Sequence, residues 1–244
     1  MKLKGMFLVA ILALASVTGL IGGPAHGATI NFTASDVVSN WLPYPDSLDG
    51  LNTWAWSVSG SAVYYGSNDG QALVSNFAQS NSFSFSTRIM ANNSDDDRYG
   101  LTFGFQNSLN NYRFSWEGNF YNGGYAEADG SRGLSLIKEV GGVSTSLINL
   151  SSTFWQNGVS YDVTVYRSGN NIGMTVQQVG GGTVASWQGT DTTFMSGAVG
   201  LWNASQNTFY SNIALNTPVP LPGALLLFGP GLVGLAALRR RLGK

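Results

Sequence analysis

Polar and apolar residues alternate along several stretches of the chain, and this alternation predicts β-strands. The clearest alternating runs are residues 82–90, 99–105, 111–117 and 160–167. A period of two residues places one side of a strand on a core and the other side in water. Turn clusters rich in Gly and Asn separate the runs at intervals of about 8–12 residues, a spacing typical of sandwiches and barrels.

The remaining segments agree with an all-β chain. Two apolar-rich runs, Leu134–Val140 and Val143–Leu150, flank a Gly-Gly pair and predict a hairpin. Residues 39–52 contain two prolines, and residues 121–133 are rich in Gly and acidic side chains, so both stretches predict surface loops. No window has the spacing of a long amphipathic helix. We therefore expect an all-β fold, a jelly-roll β-sandwich of two packed sheets.

The N-terminus has the pattern of a secretory signal peptide. Two lysines precede an apolar run, Met6–Ile21, which is followed by a Gly-Gly-Pro break and small residues. We expect residues 1–27 to be the signal peptide, with cleavage between Gly27 and Ala28. An uncleaved signal anchor is the alternative.

A second apolar run lies near the C-terminus and predicts a single transmembrane helix. Leu221–Leu238 has 18 residues without a charge. At about 1.5 Å per residue it would span roughly 27 Å, enough to cross the hydrocarbon core of a bilayer. The arginines that follow, Arg239, Arg240 and Arg241, would hold the C-terminal side in the cytoplasm.

The proline cluster before this run completes a recognisable tail. The cluster consists of Val219, Pro220, Leu221 and Pro222, and the apolar run and the arginines follow it. This arrangement resembles the C-terminal sorting tail of PEP-CTERM proteins, the exosortase substrates of Gram-negative bacteria. The usual Pro-Glu-Pro triplet lacks its Glu here. The resemblance implies a sorting tail over residues 217–244, an exosortase-type sorting protease as partner, and transient insertion in the inner membrane. The ectodomain would then face the periplasm, and the protein would finish at the cell surface or outside the cell. A permanent membrane anchor is the alternative.

Composition restricts the chemistry of the predicted ectodomain, residues 28–216. Its 189 residues include six basic and thirteen acidic side chains, so its formal charge is −7. This balance argues against nucleic acid as a partner, because phosphate binding needs Lys and Arg. The chain has no cysteine, and its one histidine, His26, lies in the predicted signal peptide. Cys–His and Ser–His–Asp catalysis and the common zinc sites are therefore excluded for the processed protein.

One cluster of residues could bind a metal ion. Asp95, Asp96 and Asp97 are consecutive and lie between two predicted strands. Three carboxylates in a turn repel one another unless water or a cation neutralises them, and Ca²⁺ takes 6–8 oxygen ligands. The alternatives are a calcium site and a solvated acidic turn. Asn92, Asn93 and Asp69 could contribute further oxygens if they lie close by.

The same residues carry a second resemblance. Residues 94–106 read Ser-Asp-Asp-Asp-Arg-Tyr-Gly-Leu-Thr-Phe-Gly-Phe-Gln. This segment resembles one in the thrombospondin C-terminal domain, whose pattern is Asp-Asp-Asp-x-x-Gly-Phe-x-Phe-Gly-Tyr-Gln. Residues 112–116 and 197–213 resemble two later segments of that family in the same order. The resemblance implies a lectin-like sandwich of the concanavalin A class, with calcium at Asp95, Asp96 and Asp97. The family's preceding calcium-binding repeats are absent, so we expect one or two calcium sites.

Three functional classes are compatible with these observations. The first is a structural or adhesive sandwich of the extracellular polysaccharide matrix, with no catalytic residues. The second is a calcium-dependent lectin; Trp41 and Trp155, beside predicted loops, are its candidate ligand-binding residues. The third is a carboxylate-based glycoside hydrolase, for which Glu117 and Glu127 are the candidates. The Glu-x-Asp-x-Glu pattern of the laminarinase-like glycosidases of this class is incomplete at Glu127, so we expect the first class and no enzyme.

Overall fold

The computed structural model describes residues 27–45, 56–118 and 126–217. The apolar part of the predicted signal peptide and the predicted sorting tail lie outside these ranges, so both stay predictions. Within the described residues, no helix is long and apolar enough to cross a membrane. Residues Thr29–Thr217 form one compact unit.

Fifteen strands in the described residues form two antiparallel sheets. The first sheet has eight strands: β1 (Ala28–Phe32), β3 (Trp56–Ser59), β4 (Ala62–Tyr65), β6 (Ser82–Ala91), β11 (Ser160–Ser168), β12 (Asn171–Gln178), β13 (Thr183–Thr190) and β15 (Thr208–Thr217). Their order is β13-β12-β11-β6-β15-β4-β3, with β1 paired to β15.

The second sheet has seven strands. They are β2 (Leu42–Pro45), β5 (Gly70–Gln79), β7 (Arg98–Asn107), β8 (Asn110–Glu117), β9 (Leu134–Val140), β10 (Val143–Leu150) and β14 (Gly197–Ala204). Their order is β10-β9-β8-β7-β14-β5-β2, so strands distant in sequence pair in the middle of each sheet. The two-sheet sandwich confirms the predicted all-β class, and the β9–β10 hairpin pairs Val140 with Val143 as its sequence predicts.

The core lies between the two sheets and is rich in aromatic side chains. Alternate residues of β8, which are Tyr112, Phe114 and Trp116, point into it and are fully buried. Across the core, the Trp116 ring packs edge-on against Tyr161 of β11, with ring centroids 4.6 Å apart. The period-two pattern in these strands therefore identified the core-facing side chains correctly.

A short helix that the hydrophobic pattern did not predict covers one end of the core. Helix α1 (Ala34–Asn40) begins after Thr33, whose hydroxyl accepts from the Asp36 amide at 3.1 Å while the Asp36 carboxylate accepts from the Thr33 amide at 3.2 Å. This reciprocal capping box stabilises a helix too short to show a hydrophobic period. The chain then turns at Trp41 into edge strand β2, which holds two prolines, so the predicted loop over 39–52 begins with a helix end and a strand.

Candidate functional site

The three consecutive aspartates form a turn between β6 and β7, here called the acidic turn (Asp95–Asp97). One carboxylate oxygen from each residue lies within 4.8 Å of the others. The turn is fixed locally, because the Asp96 amide donates to the Asp95 carboxylate at 3.0 Å. The described structure therefore brings together the three side chains that the sequence proposed as metal ligands.

Two hydrogen-bonded amide side chains, Asn93 and Gln206, lead to the acidic turn. Asn93 donates from Nδ2 to the Asp95 carboxylate at 3.4 Å, and Gln206 donates from Nε2 to the Asn93 side-chain oxygen. Gln206 is fully buried, and within the described residues its Oε1 atom has no hydrogen-bond partner. A buried carbonyl oxygen without a partner is costly, so the Gln206 Oε1 atom would be stabilised by a hydrogen-bond donor or a cation.

The electrostatics of the acidic turn favour neutralisation. Burial, followed by the charges of Asp95 and Asp96, raises the pKa of Asp97 to about 6, although a hydrogen bond with Ser205 acts in the opposite direction. Burial also raises the pKa of Asp96, with smaller contributions from Asp95 and Glu117. Desolvated carboxylates that repel one another bind either a proton or a cation more readily than solvated ones.

The other sequence candidates near this turn have different surroundings. Asn92 is exposed, and its amide donates to the Asn207 carbonyl at 2.9 Å. The Asp69 carboxylate accepts from the Ser67 hydroxyl at 3.0 Å, while its backbone carbonyl accepts from the Ser205 amide. Of the three further candidates, Asn93 is the one whose side chain contacts the acidic turn.

Trp155 lies beneath the acidic turn in the core. Its Nε1 atom donates to the carbonyls of Asp97 at 3.3 Å and Trp116 at 3.1 Å. Its ring stacks on Tyr99, with centroids 5.5 Å apart. Trp155 is 1 % exposed, so it supports the acidic turn from below and offers no ring face to a ligand.

Trp41 is also a core residue. It is 4 % exposed and packs edge-on against Phe32 and Phe77 where helix α1 ends. The prediction that Trp41 and Trp155 stack on a ligand is therefore corrected: neighbouring aromatic rings and backbone carbonyls occupy their faces and edges. Their positions beside loops in the sequence did not reveal this burial.

The outer face of the seven-stranded sheet carries a buried set of charges, here called the arginine–glutamate network: Arg98, Arg113, Glu117, Glu127 and Glu139. Each of its members is at most 5 % exposed. Arg98 donates to Glu117 at 3.0 Å, whereas Arg113 donates to Glu127 at 2.6 Å and to Glu139 at 3.0 Å. A weaker contact of 3.5 Å joins Arg98 to Glu127, so the five charges form one continuous chain.

Part of a predicted loop holds one end of this network. Glu127 belongs to the stretch 126–133, and Arg98 also donates to the Ser131 carbonyl at 2.9 Å. Arg132 donates from Nε to Glu117 at 2.8 Å, and the Gly133 amide donates to the same carboxylate at 2.7 Å. This stretch lies over β7 and β8, so the expectation that their outer side chains face water is wrong.

The network continues into a small apolar cluster on the same outer face. The Arg113 guanidinium carbon lies 4.7 Å from the centroid of the Trp202 ring, a cation–π contact. Trp202 packs there with Ala72, Val74 and Phe105, rather than in the core between the sheets. Trp202 is therefore buried on the outer face of its sheet, away from the core between the two sheets.

Sequence reasoning did not identify Gln206, Arg98 or Arg113 as important residues. Gln206 is fully buried four residues after Trp202, and no sequence pattern marks its amide as a hydrogen-bond partner of Asn93 beside the acidic turn. Arg98 and Arg113 alternate with aromatic residues on β7 and β8, which indicates an outward position but not burial. The sequence contained one indication of these arginines, namely the carboxylates of Glu117 and Glu127, because buried carboxylates need cationic partners.

Some predicted site residues are not tested by this geometry. Gly27 and Ala28 are exposed where β1 begins, and cleavage between them stays a prediction. The sorting-motif residues Val219, Pro220, Leu221, Pro222, Arg239, Arg240 and Arg241 lie outside the described residues.

Comparison with known proteins identifies the fold. No protein-family model matches the chain, and no curated protein matches it significantly. Among solved structures, carbohydrate-binding module CBM66 from Bacillus subtilis is 13 % identical, with a TM-score of 0.55, covering 73 % of this chain and 96 % of that one. A Bacillus subtilis protein of unknown function with a galectin-like fold is 12 % identical, with a TM-score of 0.52, covering 81 % of this chain and 95 % of that one.

A third likeness is to a lectin-like domain solved with calcium and a sugar. The exoplasmic/lumenal domain of VIP36 in its Ca²⁺/Man-bound form is 10 % identical, with a TM-score of 0.51, covering 75 % of this chain and 84 % of that one. At such low identity these likenesses concern the fold alone. The chain is a two-sheet β-sandwich, and its structural neighbours have lectin-like folds.

Proposed function

We propose that this chain is an exported, non-catalytic β-sandwich of the extracellular polysaccharide matrix, stabilised by calcium and in contact with polysaccharide. The observation that carries the proposal is the acidic turn, where three carboxylates converge and Asn93 links Asp95 to the buried side chain of Gln206. The lectin-like fold, shared with a carbohydrate-binding module and with VIP36 in a Ca²⁺/Man-bound form, supports it.

The residues of the acidic turn are suited to Ca²⁺ in their chemistry. Asp95, Asp96 and Asp97 supply hard carboxylate oxygens, the ligand type that Ca²⁺ prefers. Calcium would neutralise the mutual repulsion that raises the pKa of Asp97. The exposed amides of Asn92 and Asn157, at the same end of the sandwich, could then hydrogen-bond to sugar hydroxyls.

The hydrolase alternative is disfavoured by the pairing of its candidate carboxylates. Burial would raise the pKa of Glu127, but the charges of Arg113 and Arg98 outweigh burial and lower it. Glu117 accepts hydrogen bonds from Arg98, Arg132 and the Gly133 amide. A glycosidase needs one carboxyl group with a raised pKa as general acid, and the ion pairs favour the charged form of Glu127 instead.

Export and sorting complete the proposal. A signal peptide over residues 1–27 and a sorting tail over 217–244 would pass the sandwich across the inner membrane to an exosortase-type protease. The mass of the protein recovered from cells tests this step. A mass without Arg239–Lys244 supports sorting, and a mass that includes them indicates a permanent anchor.

Affinity electrophoresis through gels containing polysaccharide tests the binding function. We expect retardation of the purified protein in calcium and less retardation in chelator. The Asp96→Asn/Asp97→Asn double variant should migrate equally in both conditions.

Retardation that is unchanged by chelator would separate sugar binding from the calcium site. A protein that no polysaccharide retards would leave a purely structural role in the matrix. Release of reducing sugar, lost in Glu117→Gln, would instead favour a hydrolase.

A further inference from the structure

Two hairpin turns at one end of the sandwich carry exposed apolar side chains, here called the hydrophobic tip: Leu109, Val140 and Val143. They are 46, 45 and 68 % exposed. The β7–β8 and β9–β10 turns are joined, because the Gly142 amide donates to the Leu109 carbonyl at 3.0 Å. Val140 and Val143 are cross-strand partners, so their side chains are neighbours.

The hydrophobic tip has no charge within its two turns. Residues 107–110 read Asn-Ser-Leu-Asn, and residues 140–143 read Val-Gly-Gly-Val. Among the described residues, three of the seven exposed large hydrophobic side chains lie in this tip. Grouped apolar side chains on a surface mark a contact with an apolar or membrane environment more often than scattered ones do.

The chain leaves the sandwich at the same end. Asn216, the penultimate residue of β15, lies opposite Ser84 of β6, and the neighbouring Phe83 pairs with Arg167 of β11. The Arg167 guanidinium donates to the Tyr112 hydroxyl of β8 at 3.2 Å, which crosses between the sheets. Tyr112 lies just after the β7–β8 turn, so the hydrophobic tip and the end of β15 share one end of the sandwich.

The sequence after β15 supplies the occupant. Pro218–Pro222 can extend at most about 17 Å, and Gly223–Leu238 is an uncharged apolar stretch. We propose that, as long as the tail remains inserted, the hydrophobic tip rests in the headgroup region of the bilayer that this stretch enters. Apolar side chains that are buried at the boundary between headgroups and acyl chains contribute to membrane binding in proportion to their buried area. The acidic turn, at the opposite end, would then face away from the membrane.

This inference rests on the proposed membrane insertion of the tail and is independent of calcium and sugar binding. Because the chain has no cysteine, single cysteines can be introduced and labelled cleanly. We suggest Val143→Cys at the tip, the matched exposed control Asn157→Cys at the opposite end, and Leu226→Cys in the apolar stretch. Each full-length protein, labelled with an environment-sensitive fluorophore, is reconstituted into phosphatidylcholine vesicles that contain headgroup-region spin-labelled lipid.

The expected result is strong quenching and a blue-shifted emission at positions 143 and 226, with position 157 unaffected. Quenching at 226 without quenching at 143 would overturn the tip contact and leave the anchor intact. Equal quenching at 143 and 157 would also overturn it, because the sandwich would then have no fixed orientation. An unquenched label at 226 would remove the membrane anchor from the proposed function, and this inference with it.

Discussion

The Glu127 carboxylate accepts a hydrogen bond from the Arg113 guanidinium at 2.6 Å, with both side chains almost completely buried on the outer face of the seven-stranded sheet. Through this contact, the stretch 126–133 is joined to the middle of β8. Glu139 and the Trp202 ring occupy other sides of the same guanidinium. The sheet therefore has polar, charge-compensated packing on one face and an aromatic core on the other.

Breaking this contact should be costly. Glu127→Gln leaves the charges of Arg98 and Arg113 under-compensated in a buried site, so we expect a loss of about 3–5 kcal/mol in the free energy of unfolding. Urea unfolding followed by tryptophan fluorescence measures it. Asp162→Asn is the matched control, because its ion pair with Arg88 is exposed and should contribute under about 1 kcal/mol. Equal losses in the two variants would contradict the structural role of the network.

Trp155 should stabilise the acidic turn through its indole N–H. Trp155→Phe keeps most of the aromatic volume but leaves the carbonyls of Asp97 and Trp116 without that donor, at a cost of about 1–3 kcal/mol. The variant should have a lower melting temperature in thermal unfolding and a lower calcium affinity in a calcium titration. The half-buried Trp187, which packs against the core at a distance from the acidic turn, is the control: Trp187→Phe should cost some stability but leave the calcium titration unchanged. A Trp155→Phe protein with full stability but no sugar binding would restore the ligand-stacking role.

Asp191 should make stability depend on acid pH. Burial alone would raise the pKa of Asp191, but hydrogen bonds from Lys138, Tyr112 and Thr193 outweigh it and lower the pKa well below its usual value. The folded state then holds the proton less tightly than the unfolded state. The contribution is complete above the unfolded pKa, about 4, and is lost as pH falls below it. In urea titrations at several pH values, Asp191→Asn should reduce this acid-induced loss, and an unchanged slope would contradict the assignment.

Strand positions and core-facing residues were predictable because they depend on local periodicity. The alternation in β6 and β8 correctly assigned Phe85 and Trp116 to the core, and the Gly-Gly pair correctly placed the β9–β10 turn. The hydrophobic pattern did not predict helix α1, because seven residues are too few to show a helical period. The Thr33–Asp36 capping box was the available local signal.

The partners of the polar residues depend on tertiary packing and could not be predicted in this way. Alternation places Arg113 on the outer face of its sheet, but its burial depends on Glu127, which arrives from a different segment. Trp41 and Trp155 sit beside loops in the sequence, yet contacts with Phe32 and Tyr99 place them in the core. The acidic turn was predictable because its three carboxylates are consecutive, whereas Gln206 reaches the neighbouring Asn93 from far along the chain.

The central claim, calcium at the acidic turn, is tested most directly by the melting temperature of the purified protein in excess Ca²⁺ and in chelator. Binding at a hundredfold excess over Kd contributes about 2.7 kcal/mol, which raises the melting temperature by roughly 5–10 °C. The Asp96→Asn/Asp97→Asn variant should lose this response. In chelator it should melt no lower than the unaltered protein, because carboxylate repulsion is relieved. An unaltered protein that melts at the same temperature in calcium and in chelator would contradict the account.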